Sequence, residues 1–354
     1  MNKPPPKRLL YATIFVLTIT EFLQSGMTAF AAAPIMGEVG MCPEEFSLVA
    51  AVYASLAILA ISMPRWWVER FGGRAFIQLS ALVSITGSLL CATSHIYTQF
   101  LLGRAVMALG GGAFFTAGRM LIQHRLAGPQ RFVGIRSLAT GVAFSIAAAP
   151  WLASVAVSED TWSAMYVLVA GLGVCIFVLA GLVLDGGPRD IPQQRSRVSP
   201  WQQLLLLGAS FALLYALQSL YYDFYGNIPA IALTLTAALA GLSLYLYQQH
   251  HHPQPLLRVR EMWSARYLGG MAAFGFAYLM LGANNYVVPI MLERALGFAW
   301  QTVGDVEAVG LAAALLTWFV VSRVLPRHPS PRKFYVTGFL ALALSGALLA
   351  RVDP

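Results

Sequence analysis

One acidic residue, Glu21, lies in the middle of an apolar run near the start of the sequence. An ionised carboxylate is costly in hydrocarbon, so an acid in such a run normally faces a cavity or a partner. Gln24 and Ser25 follow by three and four residues and share its face if the run is helical. Either Glu21 binds a proton or cation, or it is a structural carboxyl that stays protonated or paired. We take proton binding as the working hypothesis, with Gln24 and Ser25 as candidates for a substrate cavity.

The second candidate for proton coupling is Arg104, within the apolar stretch 101–112. Arginine stays ionised at physiological pH, so it needs an acid or carbonyl groups nearby. It could instead be an anchor that extends to the membrane surface. If Arg104 lies close to Glu21, its charge would bias the pKa of that carboxyl. Gly110 and Gly112 follow in the same stretch, and small residues allow a neighbouring helix to approach closely.

A stripe of small residues recurs at a spacing of four in a later apolar run. Gly141, Ser145 and Ala149 fall on one helical face, and Pro150 beside them can bend the helix. The stripe predicts tight packing against another helix. A second interpretation is a seam along which two helices slide during a conformational change.

Two further pairs of polar residues are candidates for a site. Asp305 and Glu307 lie at the start of a late apolar run, where they either face a solvated mouth or form a second proton or cation site. Asn284 and Asn285 interrupt another run. These two amides either line a substrate cavity or hydrogen-bond between helices.

Other chemistries are not supported by the residues. The run at 250–252 is His-His-His, but consecutive helical residues point in different directions and no acid or cysteine cluster accompanies it, so no metal site is predicted. No Gly-Lys pair is present, which excludes an ATPase loop of the Walker type. A nucleophile with a neighbouring base is also not evident, so we predict no enzyme and no catalytic residue.

Long apolar runs make up most of the chain and must position these residues. Of 354 residues, 58% are apolar and 11% charged, whereas soluble domains carry about 25% charged residues. The composition therefore predicts a membrane protein. Runs of this length cross a hydrocarbon core about 30 Å thick as helices. We predict eleven of them, at residues 9–33, 46–64, 75–93, 98–122, 134–157, 164–184, 202–222, 227–247, 267–291, 301–322 and 334–350.

The distribution of positive charge predicts the orientation of these helices. Of the 23 Lys and Arg residues, all but three lie before the first run or in and around the connections that follow the second, fourth, sixth, eighth and tenth runs. Cytoplasmic segments are enriched in Lys and Arg, so the N-terminus is predicted to be cytoplasmic. The net charge of +8 then reflects topology, and no nucleic-acid partner is expected.

Two long polar breaks, at 185–201 and 248–266, divide the chain. They predict an N-terminal six-helix bundle (1–184), a region of linkers with two extra membrane helices (185–265), and the first three helices of an incomplete second bundle (266–354).

The connection at 64–74 reads Pro-Arg-Trp-Trp-Val-Glu-Arg-Phe-Gly-Gly-Arg. It resembles the cytoplasmic signature Gly-x-x-x-Asp-Arg-x-Gly-Arg-Lys of the major facilitator superfamily. Glu69 stands for the aspartate, Arg70 and Gly72 match, and Arg74 supplies the following base. The resemblance implies that this segment is a cytoplasmic gating loop, acting as a conformational latch.

Two more segments resemble the same family, in the right order. The stretch from Arg104 to Gly112 is similar to the fourth-helix motif Arg-x-x-Gln-Gly-x-Gly, with Gly110 kept. Residues 149–154 are similar to the fifth-helix motif Gly-Pro-x-x-Gly-Gly, of which Pro150 survives.

The two extra helices resemble the fourteen-helix drug:proton antiporter group (EmrB/QacA-like). By that resemblance the fold is all-α, polytopic and major facilitator-like, with about 11 of 14 membrane helices present and three missing after residue 354. The group's first helix usually carries an aspartate that this sequence lacks, and Glu21, one turn earlier, is its candidate replacement.

The resemblance implies an exporter of the inner membrane that binds a small lipophilic or drug-like molecule between two bundles and works by alternating access. The proton gradient would supply the energy without a cofactor. A periplasmic adaptor protein would be a partner in a Gram-negative host. The alternative is a truncated, non-transporting membrane remnant or scaffold, which the altered motifs and the unfinished second bundle favour.

Overall fold

We describe a computed structural model of the protein that covers residues 7–184, 199–223, 226–253, 255, 259–324, 331–349 and 351. These residues are almost entirely helical and contain no β-strand. The helices are α1 (Lys7–Phe30), α2 (Ala32–Val39), α3 (Pro43–Ser62), α4 (Pro64–Ala92), α5 (Tyr97–Gly111), α6 (Phe114–Arg125), α7 (Pro129–Ser158), α8 (Ser163–Val183), α9 (Pro200–Tyr222), α10 (Ile228–His251), α11 (Val259–Met262), α12 (Ala265–Ile290), α13 (Trp300–Val324) and α14 (Pro331–Leu349). A π-helical turn, Met291–Ala295, continues α12.

Within the described residues, eleven stretches are long and apolar enough to cross a membrane. They overlap the eleven predicted runs one for one, which confirms an all-α polytopic membrane protein. Two spans are each formed by two of these elements, α5 with α6 and α12 with the π turn, and the span formed by α4 is interrupted at Gly72. The fourth span breaks between Gly111 and Phe114, a break that the sequence did not predict.

Proline sets the starts of several helices. Pro43, Pro64, Pro129 and Pro200 each occupy the first helical position of α3, α4, α7 or α9. Proline is favoured there because the first N–H groups of a helix have no intrahelical partner. At the start of α3, the Glu45 carboxylate also accepts a hydrogen bond from the backbone N–H of Cys42 at 2.9 Å.

The first six spans pack together around α1. Helix α1 contacts α6, α7 and α8, while α4 contacts α5 and α8, and α3 contacts α5. One apolar cluster includes Leu23, Met27 and Tyr166, and a second includes Ile14 and Phe114. Helix α1 contributes to both clusters, so its polar residues are held by packing on several sides.

Glycine allows α4 and α5 to approach each other closely. A Cβ added at Gly87 would overlap the backbone of Met107, and one at Gly110 would overlap the backbone of Ser84. A Cβ at Gly103 would lie 2.7 Å from the Cys91 Sγ. Gly110 was expected from sequence to be a packing residue, whereas Gly87 and Gly103 were not singled out.

The later helices attach to this bundle at different places. Helix α9 packs against α3 and α10, α13 packs along α7, and α12 contacts α1. Helix α14 contains no buried residue among those whose side chains are described. Its apolar side chains are suited to contact with lipid.

Candidate functional site

A cluster of hydrogen bonds joins three spans inside the first bundle. Arg104 of α5 donates from Nη1 to Oε1 of Gln24, on α1, at 2.6 Å. Gln24 Nε2 donates to Oγ of Ser25 at 2.8 Å and to the hydroxyl of Tyr53, on α3. The Arg104 guanidinium carbon lies 4.1 Å from the centre of the Tyr53 ring, which is a cation–π contact. Gln24 is therefore the residue that connects α1, α3 and α5.

Arg104 is buried, with 5% of its surface exposed, and it lies within α5 rather than at a helix end. This position does not fit the interpretation of Arg104 as an anchor that extends to the membrane surface. Its Nε is buried without a hydrogen-bond partner. In the described part of the chain, the one ion pair within 4.0 Å is Arg65–Glu69, so Arg104 has no carboxylate beside it there.

Glu21 is bound at the break in the fourth span. Its Oε2 accepts a hydrogen bond from the backbone N–H of Phe115, the second residue of α6. The first N–H groups of a helix lack intrahelical partners and carry partial positive charge. The N-terminus of α6 therefore supplies the hydrogen-bond donor that Glu21 meets within the span. The Glu21 residue as a whole is half-buried.

Arg104 and Glu21 are not bonded to each other in the structure. Arg104 is bonded to Gln24, while Glu21 is bonded to Phe115. Arg104 and Glu21 thus each have an uncharged hydrogen-bond partner, the Gln24 amide and the Phe115 backbone N–H respectively.

The cluster continues toward α8 through a buried hydroxyl pair. Thr28 Oγ1 and the Tyr166 hydroxyl lie 2.9 Å apart, and Thr28 also donates to the Gln24 carbonyl at 2.8 Å. Sequence reasoning missed Tyr53, Tyr166 and the Phe115 N–H. Thr28 carried a usable signal, because it follows Gln24 by four residues and so shares its helical face.

The two asparagines that interrupt the ninth apolar run lie inside α12. Helix α12 is continuous to Ile290. Asparagine is only a weak helix former, and its polar side chain does not prevent the backbone from making helical hydrogen bonds. Asn284 is exposed. The side chain of Asn285 lies outside the described residues.

The small-residue stripe of α7 packs on α1. A Cβ at Gly141 would lie 2.9 Å from Thr18, and Ser145 Oγ donates to the Ile19 carbonyl at 3.1 Å. Ala149 faces Gly26 of α1. Pro150 lies within α7, which remains a single helix. Gly112 makes a similar close contact, with Ala57 of α3.

The segment 64–74 forms the first turns of α4 rather than a loop. The Arg65 Nε donates to Glu69 Oε1 at 2.8 Å, forming an ion pair one helical turn apart. Glu69 is buried, and the Arg70 guanidinium carbon lies 4.5 Å from the Trp66 ring centre. Because Pro64 starts a helix directly after α3, the segment is helical instead of extended.

The helix is interrupted at Gly72, whose φ of 82° and ψ of 160° are not helical. After it, Arg74 reaches α8, where its Nη2 would lie 3.6 Å from a Cβ at Gly181. Residues that carry a Cβ rarely adopt the backbone conformation found at Gly72. Gly72 therefore sets the angle between the first turns of α4 and the rest of the span.

We expect Gly72→Ala to lower the free energy of unfolding by about 1–3 kcal/mol, the usual cost of a strained backbone conformation. The measurement is the thermal unfolding midpoint of the purified protein in detergent. Gly73→Ala is the matched control, since a Cβ there meets no atom within 4 Å. Equal losses in both variants would show that the Gly72 conformation is not the cause.

The two acids of α13 differ in environment. Asp305 is exposed, which fits a solvated mouth. Glu307 does not fit that interpretation, since it is 7% exposed and its Oε1 has no hydrogen-bond partner. Gly304, one turn away, packs directly on Ser154 of α7. Close packing of α7 and α13 thus shields Glu307 from water.

We expect Glu307→Met to raise the unfolding midpoint, because it removes a buried polar atom that has no hydrogen-bond partner. Burying such an atom costs about 1–3 kcal/mol of stability. The control, Asp305→Asn, changes an exposed acid on the same helix and should leave the midpoint unchanged. A clear fall of the midpoint in Glu307→Met would mean that the carboxyl contributes to stability.

The sequence model of the Major Facilitator Superfamily matches residues 14–353. The chain belongs to this family. Membership of the Major Facilitator Superfamily agrees with the eleven apolar spans of a multi-pass membrane protein.

Named relatives support the same assignment. The chain is 20% identical to the uncharacterized MFS-type transporter YhcA of Bacillus subtilis, over 95% of this chain and 62% of that protein. It is 27% identical to the uncharacterized transporter YebQ of Escherichia coli, over 72% and 55% of the two chains. It is 22% identical to the multidrug resistance protein MdtL of Klebsiella pneumoniae, over 80% and 67%. The chain thus spans about half to two thirds of the length of these relatives.

Solved structures show the same fold. A POT family transporter in complex with 5-aminolevulinic acid aligns with a TM-score of 0.64 and 15% identity, covering 97% of this chain and 75% of that one. The peptide transporter POT in complex with sulfate aligns with a TM-score of 0.63 and 12% identity, covering 97% and 74%. At such identities the likeness concerns the fold of this Major Facilitator Superfamily member.

Proposed function

We propose that the protein is a proton-coupled exporter of a small lipophilic or drug-like molecule, working by alternating access. Among its relatives are multidrug resistance proteins and a rubrofusarin-specific efflux pump. The observation that carries the proton coupling is the Glu21 carboxylate bound to the N-terminus of α6, at a break in a membrane span. The proton gradient would supply the energy, with no cofactor.

In the proposed mechanism, protonation changes the contact between α1 and α6. Ionised Glu21 is attracted by the partial positive charge at the start of α6, and protonation removes this attraction. A weaker contact shifts the population toward the conformation in which α1 and α6 are separated. Protons from outside would load Glu21 as substrate leaves, and release of the proton to the cytoplasm would reset the site.

The remaining parts of the chain have roles in the same cycle. With the N-terminus in the cytoplasm, residues 64–74 lie on the cytoplasmic side and act as a latch between states. The Arg65–Glu69 ion pair and the Arg74 contact with α8 are the contacts that such a latch would break and remake. Gln24 and Ser25 would face the substrate, and Glu307 would be a second proton site.

We further propose that the protein belongs to the fourteen-helix drug:proton antiporter group, with a second bundle larger than the helices described here. The two spans α9 and α10 between the first bundle and α12 support this. The greater length of the relatives supports it as well. The native setting would be the inner membrane, with a periplasmic adaptor as a partner.

The test is gradient-driven flux in proteoliposomes containing the full-length protein. A pH gradient is imposed, and uptake of a panel of fluorescent lipophilic compounds is measured with and without an ionophore that collapses the gradient. We expect uphill accumulation of at least one compound, abolished by the ionophore. Absence of gradient-dependent flux across the panel, from correctly inserted protein, would favour the alternative of a non-transporting remnant or scaffold.

A further inference from the structure

The positive charge of Arg104 has no counter-ion among the described residues. Its contacts are the neutral Gln24 amide oxygen and the face of the Tyr53 ring, and its Nε is buried without a partner. Arginine stays ionised in proteins. A buried charge without an opposite charge is strongly unfavourable, particularly within a membrane. The site therefore favours the arrival of a negative charge.

The nearest acid on α1 does not fill this role in the structure. Glu21 is bound to the Phe115 N–H, at the N-terminus of α6. That helix end is itself a partially positive group, so it competes for the carboxylate. Arg104 is thereby left available to a ligand.

The surroundings of Arg104 suit an organic ligand rather than a hydrated ion. The Tyr53 ring lies against the guanidinium, and the Tyr166 and Phe100 rings, 5.9 Å apart between centres, belong to the adjoining apolar core. The exposed Ser25, bonded to Gln24, is the accessible end of the cluster. A ligand that enters at Ser25 and displaces the Gln24 oxygen meets Nη1 together with the free Nε.

We propose that Arg104 binds the carboxylate of the transported substrate, so that the exporter selects amphipathic organic anions. The fork of guanidinium donors matches the two oxygens of a carboxylate and binds it more strongly than a neutral acceptor. Gln24 is the gate of this site, because it occupies the guanidinium when no substrate is bound. The inference rests on the proposed transport function and names its substrate class.

Gln24→Glu tests this directly, since it places a carboxylate next to Arg104 with little change in shape. Equilibrium binding to the purified full-length protein is measured with 1-naphthoate and with a naphthalene that carries a trimethylammonium group. We expect the wild type to bind naphthoate at least about tenfold more tightly than the cation, and Gln24→Glu to lose this preference. Gln123→Glu, at an exposed position of α6, is the matched control and should retain it.

A second variant covers the case in which Gln24→Glu does not fold. Arg104→Lys keeps the charge but lacks the planar fork, so naphthoate affinity should fall while the preference over the cation is kept. Equal wild-type affinity for the two naphthalenes would overturn the inference. So would an anion preference that survives in Gln24→Glu.

The source of the anion and the proposed function are tested separately. Thermal unfolding is also measured with chloride and with naphthoate. If chloride but not naphthoate protects the wild type, and Gln24→Glu loses this protection, Arg104 binds an inorganic ion and its role in substrate binding is overturned. Charge-selective binding without proton-driven flux would support this inference and contradict the proposed function. Proton-driven flux of the cationic naphthalene alone would contradict this inference and support the proposed function.

Discussion

Glu21→Gln is expected to abolish proton-driven accumulation of substrate while leaving the fold and downhill exchange intact. The glutamine oxygen can still accept the hydrogen bond from Phe115, so the contact between α1 and α6 is kept. The amide has no proton to exchange, so the contact no longer responds to the gradient. The measurement is uphill uptake and gradient-free exchange in proteoliposomes, compared with wild type at equal reconstitution.

Two variants make this result specific. Glu38→Gln removes an exposed carboxylate elsewhere and should leave uphill transport unchanged. Glu21→Asp keeps an ionisable group on a shorter side chain and should retain part of the coupled activity. Full uphill transport by Glu21→Gln would exclude Glu21 as the coupling residue.

Gly87→Ala is expected to prevent normal packing of the first bundle. The added Cβ would overlap the backbone of Met107, which cannot move away as a flexible side chain can. Overpacking of a well-filled core costs about 1–3 kcal/mol and sometimes more. Because the clash is with backbone, we expect a loss at the upper end of this range, about 3 kcal/mol. It would be measured as a lower unfolding midpoint and a smaller yield of monodisperse protein.

Gly171→Ala on α8 is the matched control, since a Cβ there meets no atom within 4 Å. It should leave both yield and unfolding midpoint close to those of wild type. If Gly87→Ala were as stable as this control, α4 and α5 would not pack as closely as described.

Much of the fold could be predicted because its determinants are local in sequence. The length and apolarity of each run predict a span, and prolines such as Pro129 and Pro200 mark helix starts. The family motifs could be placed because their residues are contiguous. The segment 64–74 was expected to be a loop, however, because it connects two apolar runs and resembles a cytoplasmic loop signature, whereas Pro64 begins a helix there.

The site was predicted only in part, because its contacts join residues that are far apart in sequence. Glu21, Gln24 and Arg104 stand out as polar residues in apolar runs. Their partners do not: Tyr53 is an ordinary aromatic residue of a membrane span, and the partner of Glu21 is a backbone N–H, which no side chain marks. The helix break that exposes this N–H follows a glycine run that also fits simple close packing.

The most direct test of the account is whether substrate binding and proton binding compete through Glu21. Purified full-length protein in weakly buffered detergent solution is mixed with a saturating amount of a compound transported in the flux assay, and the change in pH is recorded. The account predicts that wild-type protein releases protons on binding, and that Glu21→Gln binds the compound without this release. Equal proton release by both proteins, or none from wild type despite measured binding, would contradict it.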